Sequence, residues 1–503
     1  MAECVSDHSC GCLGGPGSED VTSNPELPTR ILEIIITTPG PPSLQLIESR
    51  GMRSRYAALS HCWGPRNKQP LRTTKATYAQ HLAGIAAADL PKTFREATRV
   101  AQAVGLRYIW IDSLCIIQDD RADWAAEAPR MGPLYGRAAI VIAASGATDS
   151  TQGCFLPRLS PPELKIPYPA TAGEGGGQEA HVVLRVKLPS SQADPIYSPL
   201  GKRGWVLQEW LLARRLVHYS GAGLTWTCQR VEDMSEAGMH ESRTWAEKDM
   251  TWDSVIERFT IRQLTVLSDK TVAVQGLADS MQRNRQKGDA YHHGVWTADM
   301  PQQLLWVGAQ TTRPKELGNI VPSWSWASTD GRCMTLSKRR MPWEPKPATT
   351  VALENGGREL VVGCRRARRC ALKRWKELTW DIVREEAPFS NAYAPTSIMN
   401  LLRFHFSQKM TYLMLDEDTG ETVGVAMLDD DGAAGDRIQG CSIAVLMREV
   451  RGEHDNQPEL TSVSLVLQEV ASSVGGTYKR LGVGFVVDEA WIQGGTEAVF
   501  RIC

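Results

Sequence analysis

The residues best suited to chemistry stand directly behind three short apolar runs in the first third of the chain. The runs are followed by Ser60-His61-Cys62-Trp63, by Asp112-Ser113-Leu114-Cys115 and by Ser145-Gly146, and Gln118, Asp119 and Asp120 come soon after the second run. In an open parallel α/β sheet, ligands bind beyond the carboxyl ends of the strands, because loops and helix N-termini converge there. If the three runs are neighbouring strands, these polar groups share one rim and could bind a polar ligand. The same residue types also cap turns and bond to backbone groups, so a structural role stays open.

Arg203 and Glu209 form the next charged pair of interest. They are the ends of the segment Arg203-Gly-Trp-Val-Leu-Gln-Glu209, so they are not helical partners at i,i+4, and each can face a different neighbour. A buried structural pairing with Asp112 or Asp119 is the alternative. The sequence contains no phosphate-binding loop and no G-x-S-x-G turn. The sequence therefore supports neither nucleotide hydrolysis by a phosphate-binding loop nor the chemistry of an α/β hydrolase.

An alternation of strands and helices must position these residues. Residues 56–60, 108–111 and 139–144 are predicted strands, and the apolar character of 108–111 on both faces is typical of a parallel sheet covered by helices. Pro91 begins a helix that has one apolar stripe, and Gly105 ends it. The sequence therefore predicts an α/β fold with a parallel-sheet core and flanking helices.

A second helix is predicted over residues 121–135. Pro129 and Pro133 lie inside it, and an interior proline removes a hydrogen bond and clashes with the preceding turn. We therefore expect a kink or an early end at these positions.

The rest of the chain divides into further regions. An exposed Gly-rich insertion is predicted over residues 159–180. Strands are predicted over 181–186, 215–219 and 224–228, and helices over 204–212 and 245–285. Trp296, Trp306, Trp324 and Trp326 crowd the next stretch, and from about 333 strands are predicted, with a hairpin at 410–428 and strands at 442–447, 462–467 and 482–487. The predicted organisation is a mobile leader over 1–28, a domain over 54–212, a helical and Trp-rich extension over 213–332, and a β-rich C-terminal region over 333–503.

Composition argues against several classes of partner. The 56 basic and 57 acidic side chains give a formal net charge of -1, so the basic excess of a nucleic-acid-binding protein is missing. No long apolar run and no basic segment followed by an apolar one occurs, so we expect neither a membrane span nor a secretory signal. The 12 cysteines are too few for a disulfide scaffold in 503 residues, and a reduced, cytoplasmic protein is expected.

Two clusters of polar side chains are candidates for binding roles. The spacing of Cys4, His8, Cys10 and Cys12 matches no zinc motif, so we expect no metal and no cofactor. The basic cluster Arg365, Arg366, Arg368, Arg369, Lys373 and Arg374 is interpreted as a solvated loop, with a nuclear address or an anion-binding patch as the alternatives.

Several motifs together resemble the fungal heterokaryon incompatibility (HET) domain. They are Tyr56-Ala-Ala-Leu-Ser60-His-Cys-Trp63-Gly64, Leu90-Pro91, Tyr108-Ile-Trp110-Ile-Asp112-Ser-Leu-Cys115-Ile-Ile-Gln118-Asp119, Trp124, Met131, Tyr135 and the segment that ends at Glu209. The resemblance covers residues 54 to about 212, and Pro322-Ser-Trp-Ser-Trp326 is similar to the extension that often follows this domain. It implies a core similar to the Toll/interleukin-1 receptor (TIR) domain. It also implies an intracellular effector in self/non-self recognition and programmed cell death.

The resemblance also implies a chemistry, because some TIR-like domains cleave NAD. Cleavage of the N-glycosidic bond needs a carboxylate near the nicotinamide ribose, which stabilises the oxocarbenium-like transition state. The candidate catalytic residues are Glu209, Glu127 and Asp112. The candidate substrate-binding residues are Ser60, Trp63, Gln118, Asp119, Arg203 and Gln208, with Arg203 near phosphate. NAD would be a substrate and not a cofactor.

Two other functions stay open. In the first, the HET surface is a signalling module that binds itself or an incompatibility partner protein, and Trp63, Trp110 and Trp205 are core residues. In the second, Cys115 acts as a hydrolase nucleophile with His61 or His218. The carboxylates discriminate between enzyme and module, because only an enzyme should fold normally and lose function on Glu209→Gln.

Overall fold

The computed structural model describes most of the chain as two compact units. The described residues are 24–36, 40–159, 163–168, 180–185, 188–189, 192, 194–228, 234–235, 238–239, 250–318, 320–336, 343–345, 349–374, 411–430, 437–449, 462–470, 476–486 and 489–503. The first unit comprises the described residues up to Met250 together with Val272–Leu277, and the second comprises Thr251–Thr271 and the described residues from Ala278 to Cys503. The cysteines and histidine weighed as zinc ligands lie outside the described residues. Of the predicted leader, Leu27 is described and is buried.

The first unit contains a nine-stranded mixed sheet and a separate hairpin. Its strands are β1 (Arg30–Ile35), β2 (Ser43–Glu48), β3 (Tyr56–Ser60), β4 (Tyr108–Ile111), β5 (Ile140–Ala143), β6 (Glu163–Tyr168), β7 (Ala180–Arg185), β8 (Arg215–Ser220), β9 (Gly223–Cys228), β10 (Met234–Ser235) and β11 (Gly238–Met239). The sheet order is β11-β10-β9-β8-β5-β3-β4-β1-β2, and β6 pairs only with β7. The neighbours among β8, β5, β3 and β4 are parallel. The predicted α/β class is confirmed, whereas the likeness to a TIR domain stays a prediction.

The helices of the chain are short. They are α1 (Tyr78–Ala83), α2 (Lys92–Ala103), α3 (Asp112–Cys115), α4 (Arg121–Glu127), α5 (Met131–Arg137), α6 (Val206–Leu211), α7 (Trp252–Thr260), α8 (Val272–Gln282), α9 (Lys315–Gly318) and α10 (Glu489–Gln493). Pro91 precedes the first residue of α2, and Gly105 follows its end with a φ of 75°, a conformation that glycine adopts without strain. Every residue of β3, β4 and β5 is buried, as central strands of a parallel sheet are.

The predicted second helix is interrupted at a proline. A single 3-10 turn over Ala128–Arg130, which contains Pro129, separates α4 from α5. Pro133 is tolerated near the start of α5, where backbone N–H groups have no helical partner to lose. The expected kink is confirmed, and it separates the residues of α4 from those of α5.

β6, which lies in the predicted insertion, and β7, which corresponds to the strand predicted after it, form a two-stranded ribbon with an apolar face. Leu164 is paired with Leu184, and Ile166 with Val182, and successive residues of a strand point to opposite faces, so these four side chains share one face. Their exposed fractions are 60% and 51% for the leucine pair and 41% and 45% for the second pair. Among the described residues, this apolar face is not covered by another element, while most of the predicted insertion lies outside the described residues.

The second unit is built mainly of strands. They are β12 (Tyr291–His292), β13 (Val295–Trp296), β14 (Trp306–Thr312), β15 (Asp330–Thr335), β16 (Trp343–Pro345), β17 (Thr350–Glu354), β18 (Glu359–Arg374), β19 (Thr411–Asp416), β20 (Thr422–Leu428), β21 (Arg437–Glu449), β22 (Ser462–Glu469), β23 (Thr477–Val486) and β24 (Thr496–Ile502). The ladder runs β21-β22-β23-β20-β19-β18, and β18 also pairs with β21, so these six strands close into a ring. The β-rich C-terminal region and its predicted hairpin, β19 with β20, are confirmed.

Two other predictions for this half of the chain differ from the structure. Trp296, Trp306, Trp324 and Trp326 are fully buried, and they lie among strands and 3-10 turns as well as helices, so the predicted helical character of the extension is not confirmed. The basic cluster, interpreted as a solvated loop, lies in β18. Successive residues of a strand point to opposite faces, so neighbours such as Arg368 and Arg369 lie on different faces of β18, which sequence charge alone does not reveal. No helix in the described part of the chain is long and apolar enough to cross a membrane.

Candidate functional site

The parallel strands place the predicted polar groups on one rim of the sheet. β3 is followed in the chain by β4 on one side, and the chain then crosses to β5 on the other side. The strand order therefore reverses between β3 and β5, which is where open α/β sheets bind ligands. Ser60 ends β3, and Ser145 follows β5 by two residues. The point of reversal is consequently flanked by two buried hydroxyl groups.

Glu209 of α6 lies against Ser60 at this point. The Ser60 hydroxyl donates to Glu209 Oε2 across 2.5 Å, and the Trp210 indole N–H donates to Ser60 Oγ across 3.3 Å. Ser60 is fully buried, and Glu209 is 3% exposed. A carboxyl group is thus held at the reversal point by a hydroxyl whose own position is set by an indole.

The surroundings of Glu209 favour its neutral form. Burial raises the pKa of Glu209 to about 7, against the opposing effects of the Arg203 charge and of the hydrogen bonds from Ser60 and Tyr135, while Asp112 adds to the rise. Arg203 is oriented by donating to the backbone oxygen of His61. A carboxyl group that changes charge near neutral pH can act as a general acid or base under physiological conditions.

Asp112, Trp63 and His61 form a second group on the rim. The Trp63 indole N–H donates to Asp112 Oδ2 across 2.8 Å, and the backbone N–H of Ser113 donates to Oδ1 across 2.7 Å. His61 Nδ1 lies 3.6 Å from Asp112 Oδ1, which is too far for a hydrogen bond. The His61 ring is buried, neither of its nitrogens has a hydrogen-bond partner among the described residues, and burial lowers its pKa to about 4. A neutral imidazole with an unused donor and acceptor therefore stands beside Asp112.

A comparison with protein families identifies this part of the chain. Residues 56–209 match the model of the family described as heterokaryon incompatibility protein (HET). The chain contains a HET domain. The match begins with the first residue of β3 and ends at Glu209, so it spans all the rim residues described above. Comparisons with curated proteins and with solved structures gave no match.

Two predicted substrate-binding residues of the HET domain have backbone partners. The Gln118 side-chain amide donates to the carbonyl oxygens of Asp112 and Ile116 across 3.1 and 2.9 Å. Asp119 Oδ1 accepts from the backbone N–H of Lys75 across 2.8 Å. Gln118 therefore supports the loop behind Asp112, and Asp119 ties that loop to the segment before α1.

Gln208 faces away from the rim toward a helix crossing. Gln208 is 1% exposed, and within the part of the chain that the structure describes neither polar atom of its amide has a hydrogen-bond partner. A Cβ added to Gly276 of α8 would lie 2.8 Å from Gln208 Oε1 and 2.7 Å from the Cα of Gly132 in α5. The two glycines allow these helices to approach closely, and Gln208 is buried at their contact within the first unit.

Glu127 belongs to a different cluster from Glu209. It ends α4, before the turn at Pro129, and its carboxylate forms an ion pair of 3.4 Å with the largely exposed Arg130. Its negative charge also contributes to the raised pKa of Arg30. The Arg30 side chain donates to Asp123 and to the carbonyl oxygen of Cys115. Within the described residues, Glu127 shares no hydrogen bond or ion pair with Ser60, Arg203 or Glu209. Of the two candidate glutamates, only Glu209 lies at the reversal point.

The HET domain does not bring Cys115 into a nucleophilic arrangement. Burial raises the pKa of Cys115 to about 12, so the thiolate is disfavoured. His218 Nδ1 is instead 2.9 Å from Ser145 Oγ, and its ring packs edge-on against Trp210 at 4.5 Å. His61 packs against Phe94. The geometry therefore gives Cys115 no activating partner.

Trp210 and the hydroxyl of Tyr135 are the site groups that sequence reasoning missed. Tyr135 ends the predicted helix over residues 121–135, and its sequence position does not reveal that its hydroxyl donates to the carbonyl oxygen of Leu59 across 3.1 Å or that it contributes to lowering the pKa of Glu209. Trp210 directly follows Glu209 in the sequence, and a buried indole usually finds an acceptor, which was the available signal. Among the described residues, no group of three or more His, Cys, Asp or Glu side chains could hold a metal ion.

Proposed function

We propose that this protein is an effector of fungal heterokaryon incompatibility whose HET domain cleaves the N-glycosidic bond of a nicotinamide nucleotide such as NAD. The HET family match supports the incompatibility role. Support for the chemistry comes from Glu209, a buried carboxyl group at the strand-order reversal whose pKa is raised to about 7. Loss of NAD would link this chemistry to a growth-arresting or cell-killing response after hyphal fusion.

The proposed reaction needs one ionisable carboxylate. The bond between ribose C1′ and the nicotinamide nitrogen breaks, and its electron pair leaves with nicotinamide, which becomes neutral. Ionised Glu209 stabilises the oxocarbenium-like centre and accepts one proton from the water that adds to C1′. ADP-ribose and nicotinamide are the products, and the proton is released to solvent when Glu209 ionises again.

The other rim residues suit the rest of such a substrate. Arg203 is partly exposed and carries the positive charge that a diphosphate group requires. Trp63 is also partly exposed and offers an aromatic face beside Asp112. Because Glu209 itself is 3% exposed, we propose that substrate enters only when the side chains of the rim move apart.

The test is NAD consumption by purified full-length protein at high concentration, since the activity of a TIR-like domain can require self-association. The chain offers a matched pair of variants, Glu209→Gln and Glu127→Gln, which make the same change at and away from the rim. We expect Glu209→Gln to lower the rate by about 100-fold or more, and Glu127→Gln to leave it unchanged. The wild-type rate should rise with pH through about 7, because the proposed reaction uses the ionised form of Glu209. No turnover at any concentration, or equal loss in both variants, would reject the enzyme.

The exposed ribbon favours a second candidate function, a signalling module that assembles with itself or with an incompatibility partner protein. Its apolar face, Leu164, Ile166, Val182 and Leu184, is exposed by 41 to 60%, and such a patch is typical of an interaction surface. Sedimentation of wild type beside Leu164→Asp tests this candidate, with Val499→Asp, another exposed apolar position in a strand, as the matched control. Assembly that only Leu164→Asp abolishes, without NAD turnover, would favour the module.

A further inference from the structure

The proton of Glu209 is controlled by a chain of hydrogen bonds that begins at Trp210. An indole N–H can only donate, and a serine hydroxyl has a single proton to give. Trp210 donates to Ser60 Oγ across 3.3 Å, so the serine oxygen is already an acceptor. The Ser60 proton is then directed to Glu209 Oε2, which is 2.5 Å away.

This order of donors makes the two carboxyl oxygens of Glu209 unequal. Oε2 accepts from Ser60 whether Glu209 is charged or neutral, because no other acceptor for the Ser60 proton is present among the described residues. A proton that Glu209 gains must therefore reside on Oε1. The indole is itself held in place, since the neutral ring of His218 packs edge-on against it and is tied to Ser145.

We propose that Trp210 is a positioning residue that fixes Ser60 as a donor to Glu209 Oε2 and thereby assigns the acid–base role to Oε1. If Glu209 acts as proposed above, Oε1 is the oxygen that takes the proton from water. The arrangement itself does not depend on that activity, because it follows from the directions of two hydrogen bonds.

The other groups near Glu209 cannot replace this control. Arg203 and Asp112 act on Glu209 through their charges, which do not distinguish one oxygen from the other by a directed proton. Tyr135 is not fixed in this way, because its single hydroxyl proton can be donated to the Leu59 carbonyl or to Glu209 but not to both at once. Only the pair Trp210 and Ser60 has a fixed direction of donation.

The test is the titration of Glu209, followed by the carboxyl resonance of protein labelled with ¹³C at glutamate side chains and assigned by its loss in Glu209→Gln. Ser60→Ala removes the donor to the charged carboxylate, so its titration midpoint should rise by about 1 to 2 pH units. Trp210→Phe leaves Ser60 free to turn, and its midpoint should rise by about half a unit. Trp226→Phe, another partly buried tryptophan packed on the same core, is the matched control and should titrate like wild type.

Two results would overturn the proposal. The first is a wild-type midpoint in Trp210→Phe while Ser60→Ala is shifted, which would mean that Ser60 keeps its direction without the indole. The second is an unshifted midpoint in Ser60→Ala. If Trp210→Phe does not fold, Trp210 is replaced by its benzothiophene isostere, in which sulfur takes the place of the indole N–H. The titration is then carried out on that protein. If the protein never cleaves NAD but the titration midpoint rises more in Ser60→Ala than in Trp210→Phe, the proposed NAD cleavage is refuted and the role of Trp210 is supported.

Discussion

Each unit of the protein contains a deeply buried carboxyl group, Glu209 in the first unit and Asp429 in the second, and the two are satisfied in opposite ways. In the second unit, Asp429 accepts from Arg480 across 2.8 and 3.1 Å and from Arg313 across 2.7 Å, and the side chains of Asp429 and Arg480 are fully buried. In the first unit, Glu209 accepts from hydroxyl groups, and within the described residues it has no ion pair. One carboxylate is fixed by charge, whereas the other is held by neutral donors.

The difference indicates which carboxyl group is available for chemistry. Arg480 also donates to the carbonyl oxygens of Leu304 and Trp306, and its guanidinium lies 3.7 Å over the Trp306 ring. Asp429 is therefore part of a structural network in which two arginine side chains donate to it. Glu209 keeps a pKa of about 7 because burial outweighs its hydrogen bonds, and it can exchange a proton without breaking an ion pair.

The largest expected effect is the loss of the charged network in the second unit. Asp429→Asn leaves two arginines without their counter-charge, and breaking a buried pair in this way costs about 3 to 5 kcal/mol of unfolding free energy. Urea denaturation measures the loss. Asp418→Asn, at an exposed position, is the matched control. A loss below about 1 kcal/mol for Asp429→Asn would show that the network is not structural.

The next effect is the pH dependence that Glu209 gives to the first unit. A carboxyl group whose pKa is raised by folding stabilises the fold below its unfolded pKa, and this contribution disappears as the pH rises through the folded pKa. Between pH 4.5 and about 7 the wild type should lose on the order of 3 kcal/mol relative to Glu209→Gln. Denaturation of both proteins at several pH values measures the difference.

Comparing the wild type with Glu209→Gln cancels the contributions that the buried histidines make to the pH dependence of the unfolding free energy. Burial lowers the pKa of His61 to about 4 and that of His218 to about 3. Their stabilising contribution is present above the unfolded pKa and is lost as the pH falls, which is the opposite sign. Both histidines are shared by the two proteins, so parallel pH curves would show that Glu209 does not titrate as expected.

Asp416 in the second unit gives an intermediate case. Its Oδ1 accepts from the backbone N–H groups of Asp418 and Thr419, and its Oδ2 accepts from Trp491, with the bond from Thr419 as the main cause that lowers its pKa to about 2. Asp416→Asn should cost about 1 to 2 kcal/mol at pH 7. The cost should shrink as the pH falls from about 4 to about 2, because the wild-type carboxylate becomes protonated there. A cost that is constant with pH would contradict this assignment.

The rim could be predicted from sequence because it follows from strand order. Ser60 and Asp112 stand at the ends of apolar runs, and parallel strands place such ends together. The strands β1 and β2 were not predicted, although the burial of β2 alternates along its length. Both precede the segment in which strands and helices alternate, and β1 pairs antiparallel with β2 on one side and with β4 of that segment on the other.

Which glutamate reaches the rim could not be predicted. Glu127 and Glu209 both follow helical patterns near candidate strands, and their separation depends on the turn at Pro129 and on the packing of α6 over β3. The roles of Tyr135 and Trp210 are likewise tertiary, because each residue looks apolar in its own helix. The hydrogen-bond partners of these two residues lie far away in the sequence: Leu59 is 76 positions from Tyr135, and Ser60 is 150 positions from Trp210.

The smallest expected effect is that of Glu127→Gln on stability. The partner of Glu127, Arg130, has a side chain that is 64% exposed, and an ion pair with an exposed cation contributes about 0 to 1 kcal/mol. Urea denaturation of Glu127→Gln at pH 7 should therefore give an unfolding free energy within about 1 kcal/mol of the wild type, and added salt should reduce the difference further. A larger loss would mean that Glu127 supports Arg30 and the carbonyl oxygen of Cys115 behind the rim. Glu127→Gln would then no longer serve as a neutral control for Glu209→Gln, and the contrast between the two glutamates would have to be measured with Arg130→Met in its place.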